Sequence, residues 1–148
     1  PALYEKSAKV TENDLVLLSD WVGDLRDTLL DFRKTCGAGR AIAAPQIGLH
    51  KRLIYMLTDR EYVFINPVIT FPDKEAYEVM DECISFPGLC VRVKRRKRIV
   101  ISYLDGDMQP RRMQLEGDYA GLLQHECDHL DGIIATMRAM DEKSLYMM

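Results

Sequence analysis

Two histidines four residues apart carry the strongest chemical signal in this sequence. His125-Glu126-Cys127-Asp128-His129 fits the H-E-x-x-H pattern. On a helix, a spacing of four places both imidazoles on one face, one turn apart, where their ring nitrogens can converge on one metal ion at about 2.1 Å. Glu126 lies beside the first histidine, where it can accept a proton from an activated water without ligating the ion itself. The motif therefore predicts a hydrolytic divalent-metal site.

A catalytic site of this kind needs a third protein ligand and one open position. The longer pattern H-E-x-x-H-x-x-G-x-x-H is matched at Gly132, but its last histidine position holds Ala135, so that arrangement is excluded. Glu142 follows the second histidine by thirteen residues, and Cys83 stands at a predicted strand end just before a Pro-Gly turn. Spacing alone leaves both Glu142 and Cys83 open as the third ligand.

An N-terminal helix of about six turns is predicted from residue 11 onward. Thr11, with Asp14 three residues later, resembles an N-terminal cap. Apolar residues then recur every three or four positions and form one stripe: Leu15, Leu18, Val22, Leu25, Leu29 and Phe32. We expect the helix to pack on the core by this stripe, because a coiled coil needs a longer heptad pattern.

Strands are predicted between the N-terminal helix and the metal motif. The stretch 36–48 contains Gly, Ala and Pro residues and is predicted to be a tightly packed loop. Strand-forming runs follow at 53–57, 62–65, 68–71, 77–80, 91–104 and 111–115. Asp105-Gly106 is a strong turn signal between the last two runs. From residue 116 the pattern is helical again, through about residue 134, so that the H-E-x-x-H motif lies on a helix.

This order of elements predicts an α+β fold: largely antiparallel sheets around a central metal-binding helix, with an N-terminal helix. The 148 residues, 47% of them apolar, suit a single domain spanning 1–148. Lys and Arg number 20 against 23 Asp and Glu, a net charge of −3, which argues against a DNA-binding protein. No apolar run approaches the roughly 20 residues that span a bilayer. We therefore expect a protein that binds neither DNA nor membranes.

Three segments together resemble the signature motifs of the peptide deformylases. Gly-Arg-Ala-Ile-Ala-Ala-Pro-Gln at 39–46 resembles the first motif, and Glu-Cys-Ile-Ser at 82–85 resembles the second. His-Glu-Cys-Asp-His-Leu-Asp-Gly at 125–132 resembles the third. The motifs occur in family order, and the resemblance covers most of the chain. It implies a metal-dependent hydrolase that removes the N-formyl group from formylmethionyl peptides of nascent proteins.

The resemblance also implies a role for each motif residue. It makes Cys83, His125 and His129 the ligands of a divalent metal, natively Fe²⁺ and replaceable by Ni²⁺, Co²⁺ or Zn²⁺. It makes Glu126 the general base and acid. Gln46, through its side-chain amide, and Ile84, through its backbone N–H, are the implied donors to the oxyanion. The implied substrate pocket comprises Gly39, Arg40, Ala41, Ile42, Gly121 and Leu122.

Two departures from the family motifs bear on the substrate. Ala41 stands where the first motif usually has its second glycine, and Glu82 stands where the second motif usually has a glycine before the cysteine. A methyl group at position 41 narrows the space for a substrate backbone. Two alternatives to deformylation therefore stay open: a related amidase or peptidase acting on another acyl group, and a non-catalytic module that binds formylated N-termini.

A basic run at 92–98 stands out in this acidic protein, with six Lys or Arg among seven residues. One interpretation is a solvated strand edge that resists aggregation. The other is transient docking on ribosomal RNA near emerging chains. The four cysteines are too few for a disulfide scaffold and favour a reducing compartment. The expected location is the bacterial cytoplasm, or an organelle if a targeting segment has been removed.

Overall fold

Helix α1, Leu15–Cys36, is the first long element of the computed structural model, which describes residues 6–36, 39–82, 89–133 and 145–147. A short 3-10 helix, Glu12–Asp14, leads into it. The backbone N–H of Thr11 donates to the carboxylate of Asp14 at 2.9 Å. The predicted N-terminal cap is therefore confirmed, and α1 follows directly behind it.

The buried stripe of α1 begins one turn later than predicted. Leu18 is 7% exposed, and Leu25 and Leu29 are fully buried, as the spacing predicts. Leu15 is 39% exposed, so its assignment to the stripe is wrong. Its neighbour Val16 is also exposed. The first turn of α1 therefore extends past the core, and the helix is anchored from Leu18 onward.

The stretch after α1, predicted to be a loop, contains a strand and a helical turn. Strand β1 is Ala41–Ala43, and a 3-10 helix, Ala44–Ile47, follows it directly. Gly48 ends that helix with φ at +82°, a conformation that costs glycine little. The prediction failed because alanine and proline give no strand signal. Pairing with a neighbouring strand and burial of all three residues hold β1 extended.

The described residues form seven further strands. They are β2 Leu53–Leu57, β3 Glu61–Thr70, β4 Ala76–Glu82, β5 Leu89–Arg96, β6 Arg98–Leu104, β7 Pro110–Glu116 and β8 Leu145–Met147. One sheet has the order β1-β2-β3-β6-β7, and the other has the order β4-β5-β8. Every neighbouring pair is antiparallel, which confirms the α+β class with antiparallel sheets.

Two strand boundaries differ from the sequence prediction. The runs 62–65 and 68–71 belong to one strand, β3, with an irregularity between Ile65 and Val68. The run 91–104 is two strands, β5 and β6, which lie in different sheets and are separated at Lys97. The predicted turn at 105–106 is confirmed, since β6 and β7 form a hairpin around it.

Helix α2, Asp118–Leu130, carries the H-E-x-x-H motif and packs against β1, β2, β5 and β7. Its last turn is tied to the start of the chain. Ser7 donates its backbone N–H to the Leu130 carbonyl at 2.8 Å, and Arg52 donates to the same oxygen at 3.1 Å. Neither α1 nor α2 is long and apolar enough to cross a membrane, and they are the long helices of the described ranges.

Two apolar clusters lie on opposite faces of the first sheet, and β1 contributes to both. Ala41 and Ala43 face the cluster that contains Leu123 of α2. Ile42 faces the cluster that contains Leu25 of α1. This alternation is that of a strand buried on both faces. It fixes β1 directly against the helix that bears the two histidines.

Candidate functional site

The two histidines of α2 converge as the spacing predicts. Nε2 of His125 and Nε2 of His129 are 3.3 Å apart, with the two rings nearly perpendicular at 82°. Two ligands of a tetrahedral ion at bond lengths of about 2.1 Å are separated by about 3.4 Å. His125 is 6% exposed and His129 is fully buried. The donor pair therefore fits one divalent cation held out of bulk water.

Glu126 joins the two histidines in one buried cluster. It is 2% exposed, and its carboxylate lies with the two histidine ring nitrogens in a group whose atoms are all within 4.8 Å of one another. A buried carboxylate beside an imidazole pair can exchange a proton with a water held between them. The structure thus places the Glu126 carboxylate beside the two histidines, as the motif predicts.

The second motif lies outside the described residues. Cys83, the implied third ligand, and Ile84, the implied backbone donor, belong to the segment 83–88 that connects β4 to β5. The alternative ligand Glu142 also lies outside the described residues. In the described part of the chain, the side chains that could together hold a metal ion are His125, Glu126 and His129.

Gln46 lies in the 3-10 helix after β1, which contacts α2. Its Oε1 accepts the backbone N–H of Ala43 at 2.8 Å. This bond uses the carbonyl end of the amide, so the NH₂ end is the one that can donate to another group. The first motif therefore folds so that a backbone bond orients the Gln46 amide beside the helix that carries the two histidines.

Gln124 fastens α2 to the second sheet, a role that the sequence did not reveal. Its Oε1 accepts the backbone N–H of Arg96 at 2.9 Å, and its Nε2 donates to the Arg96 carbonyl at 2.7 Å. The side chain thus pairs with β5 as a neighbouring strand would. Because Gln124 directly precedes His125, these two bonds fix the rotation of α2 at His125. The position of Gln124 next to the H-E-x-x-H motif is the sequence signal that could have indicated this role.

A buried ion pair makes a second link between α2 and β5. Arg95 Nη1 and Asp128 Oδ2 are 2.6 Å apart, with side chains 3% and 12% exposed. Asp128 directly precedes the ligand His129. Sequence analysis named Asp128 only as a motif position and Arg95 only as part of a basic run, because their 33-residue separation hides the contact.

Gly39 and Arg40, the first two residues of the predicted substrate pocket, are held in place by contacts with charged side chains. Arg33 donates through Nε to the Gly39 carbonyl at 2.5 Å. Arg40 forms an ion pair with Asp118 at 2.5 Å, and its guanidinium lies 5.9 Å from the centre of the Tyr119 ring. The ion pair joins the beginning of β1 to the first turn of α2.

Three other pocket candidates differ in what they can offer a ligand. Ala41 is 5% exposed and faces α2, whereas Ile42 is fully buried on the α1 side. Leu122 is half-buried and packs against the α2 cluster. It precedes His125 by three residues, so it lies on the ligand-bearing face of the helix.

Gly121 lies one turn before His125, against a side chain from the second sheet. A Cβ at this position would stand 2.5 Å from the Tyr77 hydroxyl and 3.5 Å from Cζ of the same ring. That hydroxyl donates to the Gly117 carbonyl at 2.5 Å. Glycine at 121 therefore admits the hydroxyl of Tyr77 to the surface of α2. Sequence analysis placed Tyr77 only on a strand, because the contact joins segments far apart in the chain.

Three of the six basic residues in the run 92–98 form ion pairs within the protein: Arg95, Lys97 and Arg98. Arg95 is buried against Asp128, which contradicts a fully solvated edge. Arg98 contacts three carboxylates, and Lys97 lies 3.8 Å from one of them. Docking on ribosomal RNA stays a prediction.

Cys127 lies within the motif but away from the two histidines. It packs against the apolar cluster shared by α2 and the first sheet. Burial raises the pKa of its thiol far above the usual range, with a smaller opposing effect from Arg52. A thiol that stays protonated is a poor ligand and nucleophile. The structure thus agrees with a packing role for this cysteine.

Comparison with known proteins assigns the family. The sequence model of the polypeptide deformylase family matches residues 1–144. Peptide deformylase 2 of Prochlorococcus marinus (strain MIT 9313) is 36% identical over 129 residues, which cover 82% of this chain and 64% of the relative. The peptide deformylase of Natranaerobius thermophilus is 36% identical over 141 residues, which cover 94% of this chain and 86% of the relative. The chain thus spans less than two thirds of the first relative and most of the second.

A solved structure agrees with the sequence match. The crystal structure of peptide deformylase from Thermus thermophilus superposes with a TM-score of 0.83 at 37% sequence identity. The superposition covers 93% of this chain and 80% of that one. A shared fold, a family match over nearly the whole chain and a buried histidine pair on a helix all agree, and the chain belongs to the polypeptide deformylase family.

Proposed function

We propose that this chain removes the N-formyl group from formylmethionyl peptides, as one catalytic domain spanning 1–148. The observation that supports this most directly is the buried cluster of His125, Glu126 and His129, whose donor atoms lie within 4.8 Å of one another. Such a cluster has the composition of a hydrolytic metal site. The family match supplies the substrate class.

Three residues hold the divalent ion in this proposal: His125, His129 and Cys83. The 3.3 Å separation of the two histidine nitrogens supports the first two, and the second family motif supports the third. When bound, the ion supplies Lewis-acid activation of water and of the formyl oxygen. A thiolate with two imidazoles suits Fe²⁺, Ni²⁺, Co²⁺ and Zn²⁺, of which we propose Fe²⁺ as the native ion.

Glu126 moves the protons of the reaction. It accepts one from the attacking water as the new C–O bond forms at the formyl carbon. It then delivers a proton to the amide nitrogen as the C–N bond breaks, so that formate and a free amino terminus leave. Its burial supports this role, because few bulk waters compete for its proton.

Gln46 and Ile84 stabilise the oxyanion that develops on the formyl oxygen. The bond between its Oε1 and the Ala43 N–H orients the Gln46 amide, which supports its assignment as one of the two donors. The backbone N–H of Ile84 is the second donor, carried over from the family motif. A preorganised donor of this kind contributes on the order of 3 kcal/mol to the transition state.

The peptide chain binds along the outer edge of β1. The Leu57 N–H donates to the Arg40 carbonyl at 2.8 Å, so the backbone of Arg40 faces β2. Alternation then directs the N–H and C=O of Ala41 to the opposite side. β1 is the end strand of its sheet among the described strands. An extended peptide can add there through backbone hydrogen bonds, with its formyl end toward Gln46.

The test is formate release from a formyl-Met-Ala-Ser peptide, with protein prepared without oxygen and loaded with Ni²⁺. We expect rapid release from this peptide and none from its acetyl counterpart. Release of acetate instead would establish an amidase for another acyl group. Binding of the formyl peptide with a full metal load and no formate would establish a non-catalytic binder.

A further inference from the structure

We propose that Tyr77 forms the end wall of the pocket that receives the first side chain of the substrate, and so selects its length. This inference rests on the proposed deformylation and adds a specificity-determining residue to it. It assigns Gly121 the role of admitting the Tyr77 hydroxyl to the helix surface.

The helical periodicity of α2 places Tyr77 beside the histidine ligands. Gly121 precedes His125 by four residues, which puts it on the same face about 6 Å along the axis. The contact between Gly121 and the Tyr77 hydroxyl therefore lies one turn from the reacting end of the site. Asp118 lies on that face as well, a further turn away.

Residues of two strands reach the first turns of α2. On one side, β1 runs from Arg40, which is paired with Asp118, toward Gln46. On the other side, Tyr77 of β4 bonds to Gly117 at the start of α2, and the same strand continues toward the second motif. Arg40 and Tyr77 thus both reach the first turns of α2, and in this proposal they close the end of the pocket that lies farther from the histidines.

The Tyr77 hydroxyl is fixed in this position. It donates to the Gly117 carbonyl at 2.5 Å, and the missing Cβ of Gly121 leaves it room. A fixed oxygen at the end of a groove limits the length of an apolar side chain, because a longer chain would have to displace the hydrogen-bonded hydroxyl. We therefore expect the wall to admit methionine and norleucine side chains and to disfavour longer unbranched ones.

The experiment compares formyl-X-Ala-Ser peptides in which X is norvaline, norleucine, methionine or 2-aminoheptanoate. Tyr77→Phe removes the oxygen and keeps the ring. We expect kcat/KM for 2-aminoheptanoate, relative to methionine, to rise about tenfold, the usual value of one accommodated methylene. Tyr103→Phe is the matched control, because its hydroxyl contacts Met113 on the first sheet.

A double variant provides a second, independent readout. Gly121→Ala alone places a Cβ 2.5 Å from the hydroxyl, whereas in the Tyr77→Phe background the nearest ring atom is 3.5 Å away. We expect Gly121→Ala to lower the melting temperature in the wild-type background and to be tolerated in Tyr77→Phe.

The outcomes separate cleanly. An equal change of kcat/KM for all four peptides would overturn the pocket assignment and leave Tyr77 a purely structural residue. If Gly121→Ala and Tyr77→Phe had additive effects on the melting temperature, the proposed contact between Gly121 and the Tyr77 hydroxyl would be refuted. A wild-type protein that releases no formate from any of the peptides would refute the proposed function itself, which is a different result.

Discussion

Ala43 donates its backbone N–H to Oε1 of Gln46 at 2.8 Å, so a strand of three residues orients the side chain that follows it. The bond decides which end of the amide faces outward. In the proposed mechanism the bond links two tasks of the first family motif, since the strand proposed to bind the peptide also orients the proposed oxyanion donor. Position 46 therefore has one observed structural contact and one proposed catalytic contact, and substitutions can separate them.

Gln46→Glu should separate these two contacts. Glutamate keeps an oxygen for the Ala43 N–H but loses the amide donors, so we expect kcat to fall about 10²- to 10³-fold with little change in melting temperature. Gln46→Leu, which loses both contacts, should also lower the melting temperature. Steady-state formate release and thermal unfolding measure the two effects. A Gln46→Glu variant with wild-type kcat would remove Gln46 from the oxyanion site.

Glu126→Gln should slow turnover strongly without loss of metal. The substitution preserves the size of the side chain and removes its ability to exchange a proton, so we expect kcat to fall about 10²- to 10⁴-fold. Metal content, measured by elemental analysis, should match that of the wild type. His129→Ala is the contrasting variant and should lose the ion. Equal metal loss in both variants would instead make Glu126 a ligand.

Arg95→Met should destabilise the protein strongly, because it leaves the Asp128 carboxylate buried without its guanidinium partner. Removing one member of a buried ion pair costs about 3 to 5 kcal/mol of unfolding free energy. In Arg95→Met/Asp128→Leu the charge is gone as well, and we expect most of that loss to be recovered. Urea denaturation of the two variants and the wild type provides the comparison. A double variant less stable than Arg95→Met would contradict this account.

Glu61 should make stability depend on acid pH. Its bidentate hydrogen bonds from Arg26 hold the pKa of this carboxyl below its usual value. A lowered pKa in the folded state contributes stability above the unfolded-state pKa, and that contribution is lost as pH falls through the folded-state value. The melting temperatures of wild type and Glu61→Gln should therefore differ at pH 7 and converge in acid. Arg26→Gln should reproduce the same profile, and a constant difference at every pH would exclude the linkage.

Residue spacing predicted the parts of the site that lie close together in sequence. The pair His125 and His129 needs one helical turn, and the cap of Thr11 with Asp14 needs one turn as well, so local geometry sufficed for both. The order of helix, strands and helix indicated the fold class for the same reason.

Contacts between distant segments escaped the sequence analysis. The break at Lys97 has no Gly, Pro or Asn signal, and it is fixed by backbone bonds to Glu75 and Gly117. β1 has too little strand propensity to be identified without β2 beside it. The role of Tyr77 depends on its contact with Gly117 and Gly121 at the start of α2, which the sequence alone does not show. In each case tertiary packing, rather than local preference, decides the conformation.

The bond between Ser7 and Leu130 has a consequence for the order of events during synthesis. The last turn of α2, which includes His129, obtains its N-terminal partner only after about 130 residues have been made. The hydrogen bond from Arg52 to the Leu130 carbonyl can likewise form only after Leu130 has been synthesised. We therefore expect the ion to be taken up late, once the beginning of the chain has closed over the end of the helix. Metal binding would then follow the folding of the rest of the chain.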